Sequence, residues 1–296
     1  MESRLPIIKD SATVDNHDVP FENNNSKHIC KKMECIYNPT DDNGYVLISN
    51  LDYSSIVAGA YVNPAVWFKY LHITRNWIFE EKHQLRSETE NLRTRNFKVE
   101  FGPAVRNLFQ LSDDHYKDYL GLMNHSFRYD CVVKNDNGES ADFDFVITEL
   151  KTGNHIARAV SSAIVVGSKS SSIHQIKKSG AKNNLECYTS RFHVPRYETT
   201  ETSCALVCLF ISMCHNCADE AIQKSILSFL TGSLCKYYPN TIEVQLYDFH
   251  LTKDQIDVSM WTGENNSKTL HFQLEQNGIV LANISMDYVK WPSAGL

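Results

Sequence analysis

A strand, a long helix and then a series of strands occur twice along this chain, and a repeat of that kind restricts the fold more than any single motif. Each copy must bury the same faces, and two copies can bury theirs together. In the first half Tyr45-Val46-Leu47-Ile48 is a β-branched run. Over about 61–82, Val62, Val66, Phe68, Tyr70, Ile73, Trp77 and Ile78 make a broad apolar face, with Lys69, Arg75, Glu80 and Glu81 outside it. This spacing predicts a long, largely buried helix. Residues 83–103 are dense in charge and end at Gly102-Pro103, which reads as a surface insertion. Strand patterns then run over 105–111, 125–134, 141–150 and 155–166, with Asn135-Asp136-Asn137-Gly138 and Lys151-Thr152-Gly153-Asn154 as hairpin turns. The second half repeats the order: a strand over 188–197, a helix over 205–230, and strands over 241–246, 255–261, 268–275 and 279–291. Each half therefore predicts a strand, a helix and a four-strand antiparallel meander. One ungapped match ties the halves together, Gly153-x-x-Ile156-Ala157-x-Ala159 lying on Gly278-x-x-Leu281-Ala282-x-Ile284.

Length agrees with duplication, because 296 residues is about twice an ordinary domain. Residues 1–33 are polar and lack either period, which predicts a disordered N-terminal arm. The stretch 168–185, SKSSSIHQIKKSGAKNNL, holds four lysines and no acid, a linker composition. The expected division is a first unit over 34–167, a linker over 168–185 and a second unit over 186–296. With 42% hydrophobic and 22% charged residues the chain is neither wholly disordered nor collagenous. Its longest apolar run, Ala205 to Met213, is far short of a membrane span. A net charge of −6 supplies no positive field to collect nucleic acid. The first ten residues carry acids and no apolar core, unlike a secretory signal, so the expected location is cytoplasmic and the nine cysteines are expected as reduced thiols.

The segment Tyr61-Val62-Asn63-Pro64-Ala65-Val66-Trp67-Phe68-Lys69-Tyr70-Leu71-His72-Ile73-Thr74-Arg75 is similar to the start of the central helix in the 4-hydroxybenzoyl-CoA thioesterase-like group, D-x-x-G-H-V-N-N-x-x-Y-x-x-Y-x-x-x-x-R. Val62, Asn63, Tyr70 and Arg75 match as residues; Tyr61 replaces the His, Pro64 the second Asn and Trp67 the first Tyr. Ile156-Ala157-Arg158-Ala159-Val160-Ser161 resembles the start of that family's final strand. As architecture the resemblance covers about 45–292. It implies an α+β fold of two tandem hotdog units, each a long central helix wrapped by an antiparallel sheet, paired as a pseudo-dimer. It also implies acyl-CoA or acyl-carrier thioesters as substrates, no cofactor, and a possible homo-oligomer through the hotdog sheets.

In this family a carboxylate at the helix start attacks the thioester or activates water, while backbone N–H groups there polarise the carbonyl. In the first half that carboxylate should fall near Ile56 or Val57, and the closest acid is Asp52. In the second half Glu201 takes the acid's place and Cys204 that of the Gly, with Ala205 beside it. Asn63 and Tyr61 are then substrate-binding candidates, and Arg158 a phosphate-binding one. Ordinary readings compete. Glu201 can be a solvated cap before a helix, Asp52 a turn residue, Asn63 a residue that starts the helix before Pro64, and His72 a core histidine. No pair of a histidine and a carboxylate stands out, which argues against acyl-thioester dehydration. Cys214-His215-Asn216-Cys217 sits on an apolar helix, where cysteine behaves as a small hydrophobe, so no metal is expected. Two readings stay open: an acyl thioester hydrolase using Glu201 or Asp52, and a catalytically degenerate acyl-CoA or acyl-chain binding protein.

Overall fold

The computed structural model of the chain describes residues 32–49, 56–57, 61–62, 64–85, 92–105, 125–166, 187–194, 203–227, 230, 234, 237–247, 251–252, 254–262 and 268–290. In the first half the elements are β1 (Lys32–Asn38), β2 (Asn43–Ser49), β3 (Ile56–Val57), β4 (Tyr61–Val62), α1 (Pro64–His83), β5 (Leu92–Phe101), β6 (Ser126–Lys134), β7 (Ser140–Glu149) and β8 (His155–Val165). In the second they are β9 (Tyr188–His193), α2 (Ser203–Gln223), β10 (Tyr237–Leu246), β11 (Gln255–Thr262), β12 (Thr269–Gln276) and β13 (Ile279–Lys290). Eleven strands form one sheet in the order β1-β2-β6-β7-β8-β5-β10-β13-β12-β11-β9, and β3 and β4 pair as a separate hairpin. Every neighbouring pair is antiparallel.

Burial alternates along the strands, with apolar residues under the helices and polar ones on the opposite face. Helix α1 packs over β2 and β6, α2 over β9 and β11, and the two helices pack against each other. Most of α1 is buried, as its apolar breadth predicts, from Pro64 through Phe79. Pro64 takes the first helical position, where a missing N–H costs nothing.

Three expectations need correction. The charged stretch 83–103 is no insertion: it contains β5, which lies at the centre of the sheet between β8 and β10. Its Leu92, Thr94, Phe97, Val99 and Phe101 point into the core, and the charges that dominate the sequence lie mostly between them. The three later strands of each set do pair in turn as a meander, β6-β7-β8 and β11-β12-β13, but β10, the first of the second set, crosses over to pair with β13, and the place beside β8 is taken by β5. The sheet also begins at Lys32, inside the last two residues assigned to the arm. Residues 106–111, the linker 168–185 and residues 1–31 of the arm lie outside the described residues.

Two details of the sheet recur in both halves. The β7–β8 register slips between Ile147 and Thr148, so that Ile156 faces no β7 residue; the β12–β13 register slips between Leu274 and Glu275, so that Leu281 faces no β12 residue. These are the Ile and Leu of the repeated motif, and both turns ahead of them hold a glycine at positive φ, Gly153 at 72° and Gly278 at 78°. A second bulge leaves Arg95 unmatched against β8 and Asn240 unmatched against β13, each six residues before the end of its strand. Between the halves, β5 and β10 pair from Asn96↔Gln245 to Glu100↔Thr241, with Lys98↔Glu243 in the middle.

Candidate functional site

The C-terminal end of α1 is fixed by charge. Lys82 Nζ lies 3.0 Å from Asp42 and 3.1 Å from Asp136, and His83 Nε2 lies 2.7 Å from Asp136. Cations there also suit the negative end of the helix. Asp42 is in the β1–β2 turn and Asp136 in the β6–β7 turn, so a helix about 30 Å long runs back across the sheet from those turns. Its first turn reaches the far ends of the same strands. Trp67 meets Phe127 edge-on at 5.2 Å and Phe101 at 6.3 Å, and lies 6.4 Å from Tyr129. The Tyr129 hydroxyl is buried and has no hydrogen-bond partner among the described residues, and burial, with Tyr70 nearby, pushes its pKa well above the usual tyrosine value.

At this rim the structure places a pair that the sequence reading did not anticipate. His125 precedes β6 and Glu149 ends β7; Nδ1 and Oε1 are 2.6 Å apart. The Glu149 side chain is 3% exposed and that of His125 25%. Thr152 donates its hydroxyl to the other oxygen, Oε2. The imidazole stacks on Phe127, with ring centres 6.3 Å apart. His125 has the same parity along β6 as Phe127 and Tyr129, which places it on the helix side of the sheet. A carboxylate can only accept here, so Nδ1–H donates to Glu149, and Nε2 is the ring nitrogen turned away from it. Only the hairpin register brings the pair together. The observed β6–β7 register places Phe127 opposite Glu149 and His125 two residues further on, whereas a turn confined to Asn135–Gly138 would bring Lys134 opposite Glu139, three residues off the observed partner Asp142.

The N-terminal part of α2 lies beside that of α1, where the Cys208 thiol donates to the Ala65 carbonyl oxygen at 3.2 Å. Helix α2 starts at Ser203, two residues earlier than its apolar run suggests, and this brings Cys204 and Ala205 into its first turn. The N–H groups of such a turn have no partner within the helix and can polarise an oxyanion. Glu201, Asp52 and Asn63 lie outside the described residues. Tyr61 is in β4 and pairs with Val57, and Ile56 pairs with Val62, so the positions where the family pattern places an acid form an apolar hairpin ahead of α1. Arg158 is exposed in β8 between buried Ala157 and Ala159, on the sheet face turned away from the helices. It does not join the residues at the helix starts.

His72 is a core histidine, 6% exposed; burial and then Arg75 depress its pKa well below the usual imidazole value. Arg75 is fully buried and donates to Thr94, Ser161 and Asn76, with His72 Nδ1 3.0 Å away. Cys214 and Cys217 are buried thiols, that of Cys217 pushed up to about 11 by burial. Among the described residues no three His, Cys, Asp or Glu side chains are grouped to hold a metal ion, and no helix is long and apolar enough to cross a membrane. A hollow of about 1000 Å³ lies across the β5–β10 seam on the face opposite the helices and is lined by Lys98, Asp142, Glu243, His271 and Asn283. It is a polar groove remote from the helix starts.

No family model matches the sequence, and no curated protein sequence matches it. Solved structures do match the fold. A Lactobacillus plantarum protein described as an oleoyl thioesterase has a TM-score of 0.60 at 7% identity, over 85% of this chain and 96% of that one. A 12:0-ACP thioesterase from Umbellularia californica has a TM-score of 0.57 at 7% identity, over 84% and 95%. An acyl-ACP thioesterase from Bacteroides thetaiotaomicron has 0.54 at 10% identity, over 85% and 100%. These neighbours are hotdog-fold thioesterases, and this chain shares their fold.

Proposed function

We propose that this chain is an acyl thioester hydrolase made of two tandem hotdog units, over 34–167 and 186–296, joined by the linker 168–185 and paired as a pseudo-dimer. The observation that carries the reading is the extent of the likeness: three thioesterases follow this chain over 84–85% of its length and 95–100% of theirs. The pseudo-dimer is supported by the strand order, which reads β2-β6-β7-β8-β5 inward from one side and β9-β11-β12-β13-β10 from the other. Bulges at corresponding positions support it further, since bulges are position-specific features.

In this reading Glu201 activates water ahead of α2, and the N–H groups of the first turn around Cys204 and Ala205 receive the negative charge of the carbonyl oxygen. Water attacks the carbonyl carbon, the C–S bond breaks, and carboxylic acid and thiol leave. Asn63 and Tyr61 hold the substrate at the neighbouring helix start, and Asp52 is the acid nearest to it in the first half. The substrate is an acyl-CoA or an acyl-carrier thioester in a cytoplasmic enzyme. A second reading, an acyl-binding protein that has lost catalysis, is favoured by one observation: Ile56 and Val57 fill the hairpin where the first half would need its acid.

Thioester cleavage over a chain-length panel separates the two. The hydrolase reading expects turnover by the wild type and a loss of about 100-fold or more in Glu201→Gln, with binding retained. Absence of turnover on every substrate favours the binder. Undiminished hydrolysis in Glu201→Gln removes Glu201 as the base and transfers the test to Asp52→Asn.

A further inference from the structure

We infer that His125 and Glu149 form a second acid–base centre, in the first half of the chain, with His125 Nε2 as the base and Glu149 as the group that positions it. For its substrate class the inference rests on the acyl-hydrolase reading above. The geometry is that of an oriented imidazole: a buried carboxylate 2.6 Å from Nδ1, held on its other oxygen by Thr152, and a ring that remains a quarter exposed. Among the described residues nothing bonds to Nε2. The ring stands on the helix side of the sheet, one aromatic contact away from Trp67 in the first turn of α1. This is the half whose helix start has Ile56 and Val57 at the expected position of the acid.

The other half shows what the same position does without chemistry. The registers of the two halves make Gln276, the last residue of β12, the counterpart of Glu149, the last of β7. Gln276 is equally buried, and its amide fastens the loop ahead of β11: Oε1 accepts from Thr252 N at 2.9 Å, and Nε2 donates to Asp254 O at 3.0 Å. A neutral amide is therefore enough to hold this corner of the fold. Burying a carboxylate there instead carries a desolvation cost that a mechanical clamp does not require. The first half bears that cost against an imidazole that reaches solvent, the arrangement used wherever histidine must be held in one tautomer to move a proton.

In the reaction Nε2 takes a proton from water as the water oxygen bonds to the carbonyl carbon. The tetrahedral adduct collapses with cleavage of the C–S bond, and the proton passes from Nε2–H to the departing sulfur. The products are a carboxylic acid and a thiol, and His125 is returned neutral. Glu149, accepting from Nδ1–H, stabilises the imidazolium that forms between the two transfers.

The test uses the full chain with acyl-CoA thioesters and with p-nitrophenyl acetate, an activated ester that any accessible imidazole base can attack. His125→Asn is the informative variant, because its amide N–H can still donate to Glu149 while Nε2 is gone. In the Glu201→Gln background, where the turnover that remains is what this centre supplies, it is expected to melt with that parent and to lower the residual thioester kcat about tenfold or more with KM unchanged, and added imidazole restores part of the turnover. Glu149→Gln in the same background is expected to lower kcat, again without moving KM. A residual kcat unchanged by His125→Asn overturns the inference and makes the pair a clamp like Gln276, as does turnover lost together with the melting transition and not rescued by imidazole. Ester cleavage that depends on His125, without thioester cleavage by the wild type, leaves the dyad standing and removes the thioester reading. Thioester cleavage by the wild type with no residual part that depends on His125 does the reverse, and cleavage of neither substrate by the wild type overturns both.

Discussion

Single residues in this fold act through what burial does to them. His215 on α2 is 8% exposed, and burial holds its pKa at about 4, with Asp219 acting weakly in the other direction. An unfolded histidine titrates near 6.5, so the unfolded chain takes the proton first as the solution is acidified. The stabilisation is complete above about pH 6.5 and is lost as pH falls toward 4. His215→Asn removes this titration, and between pH 6.5 and 4.5 the variant should lose about 2–3 kcal/mol less than the wild type in urea unfolding. Equal losses in the two would contradict the assignment. His72 has the same sign, so some acid sensitivity persists in the variant. At this scale the sequence was partly legible. The core role of His72 could be read from its place on an apolar helix, whereas His125 and Glu149 lie 24 residues apart and meet only through hairpin register.

Elements carry the next constraint, because helix and sheet approach each other most closely where side chains are missing. A Cβ on Gly44 in β2 would lie 2.6 Å from the Ile36 carbonyl oxygen and 3.2 Å from two carbons of Ile78 on α1. The oxygen belongs to the backbone of β1 and can move only if the strand does. Gly44→Ala should therefore destabilise by about 1–3 kcal/mol, read as a lowered urea midpoint, with faster amide exchange along β1. A variant as stable as the wild type would mean that β1 is free to shift. The two helices were legible from apolar spacing and the later hairpins from their turns. Strand β5 was not, because its inward residues are separated by Arg93, Arg95, Lys98 and Glu100. Charge density suggested surface, and it is surface on one face only: a half-buried strand shows both signals, and alternation rather than charge density identifies it. The crossover that takes β5 past β6 and β7 has no local signature.

At the scale of the whole molecule the strand order mirrors itself about the centre of the sheet, and in the proposed pseudo-dimer that centre shows what joining the halves in one chain permits. Lys98 and Glu243 occupy the same position, three residues before the end of β5 and of β10, and face each other at 3.0 Å. Two identical units would place like charges opposite each other there. One chain with diverged halves can place opposite charges. Both side chains are largely exposed, at 40% and 51%, so Lys98→Glu should cost no more than about 1 kcal/mol, and the exchanged pair Lys98→Glu with Glu243→Lys should regain part of it. A double variant no more stable than Lys98→Glu alone would show that the pair does not interact. The duplicated order was legible in the sequence as a repeated pattern of elements and one matched motif, but its sharing of one sheet required the registers. The likeness of that sheet and its helices to thioesterases underlies the functional reading, which makes thiol release from acyl-CoA the most direct measurement. The purified full chain is expected to liberate free thiol from at least one member of a chain-length panel at a rate proportional to enzyme concentration. A complete panel without release above the uncatalysed rate would contradict the account and favour the reading as an acyl-binding protein.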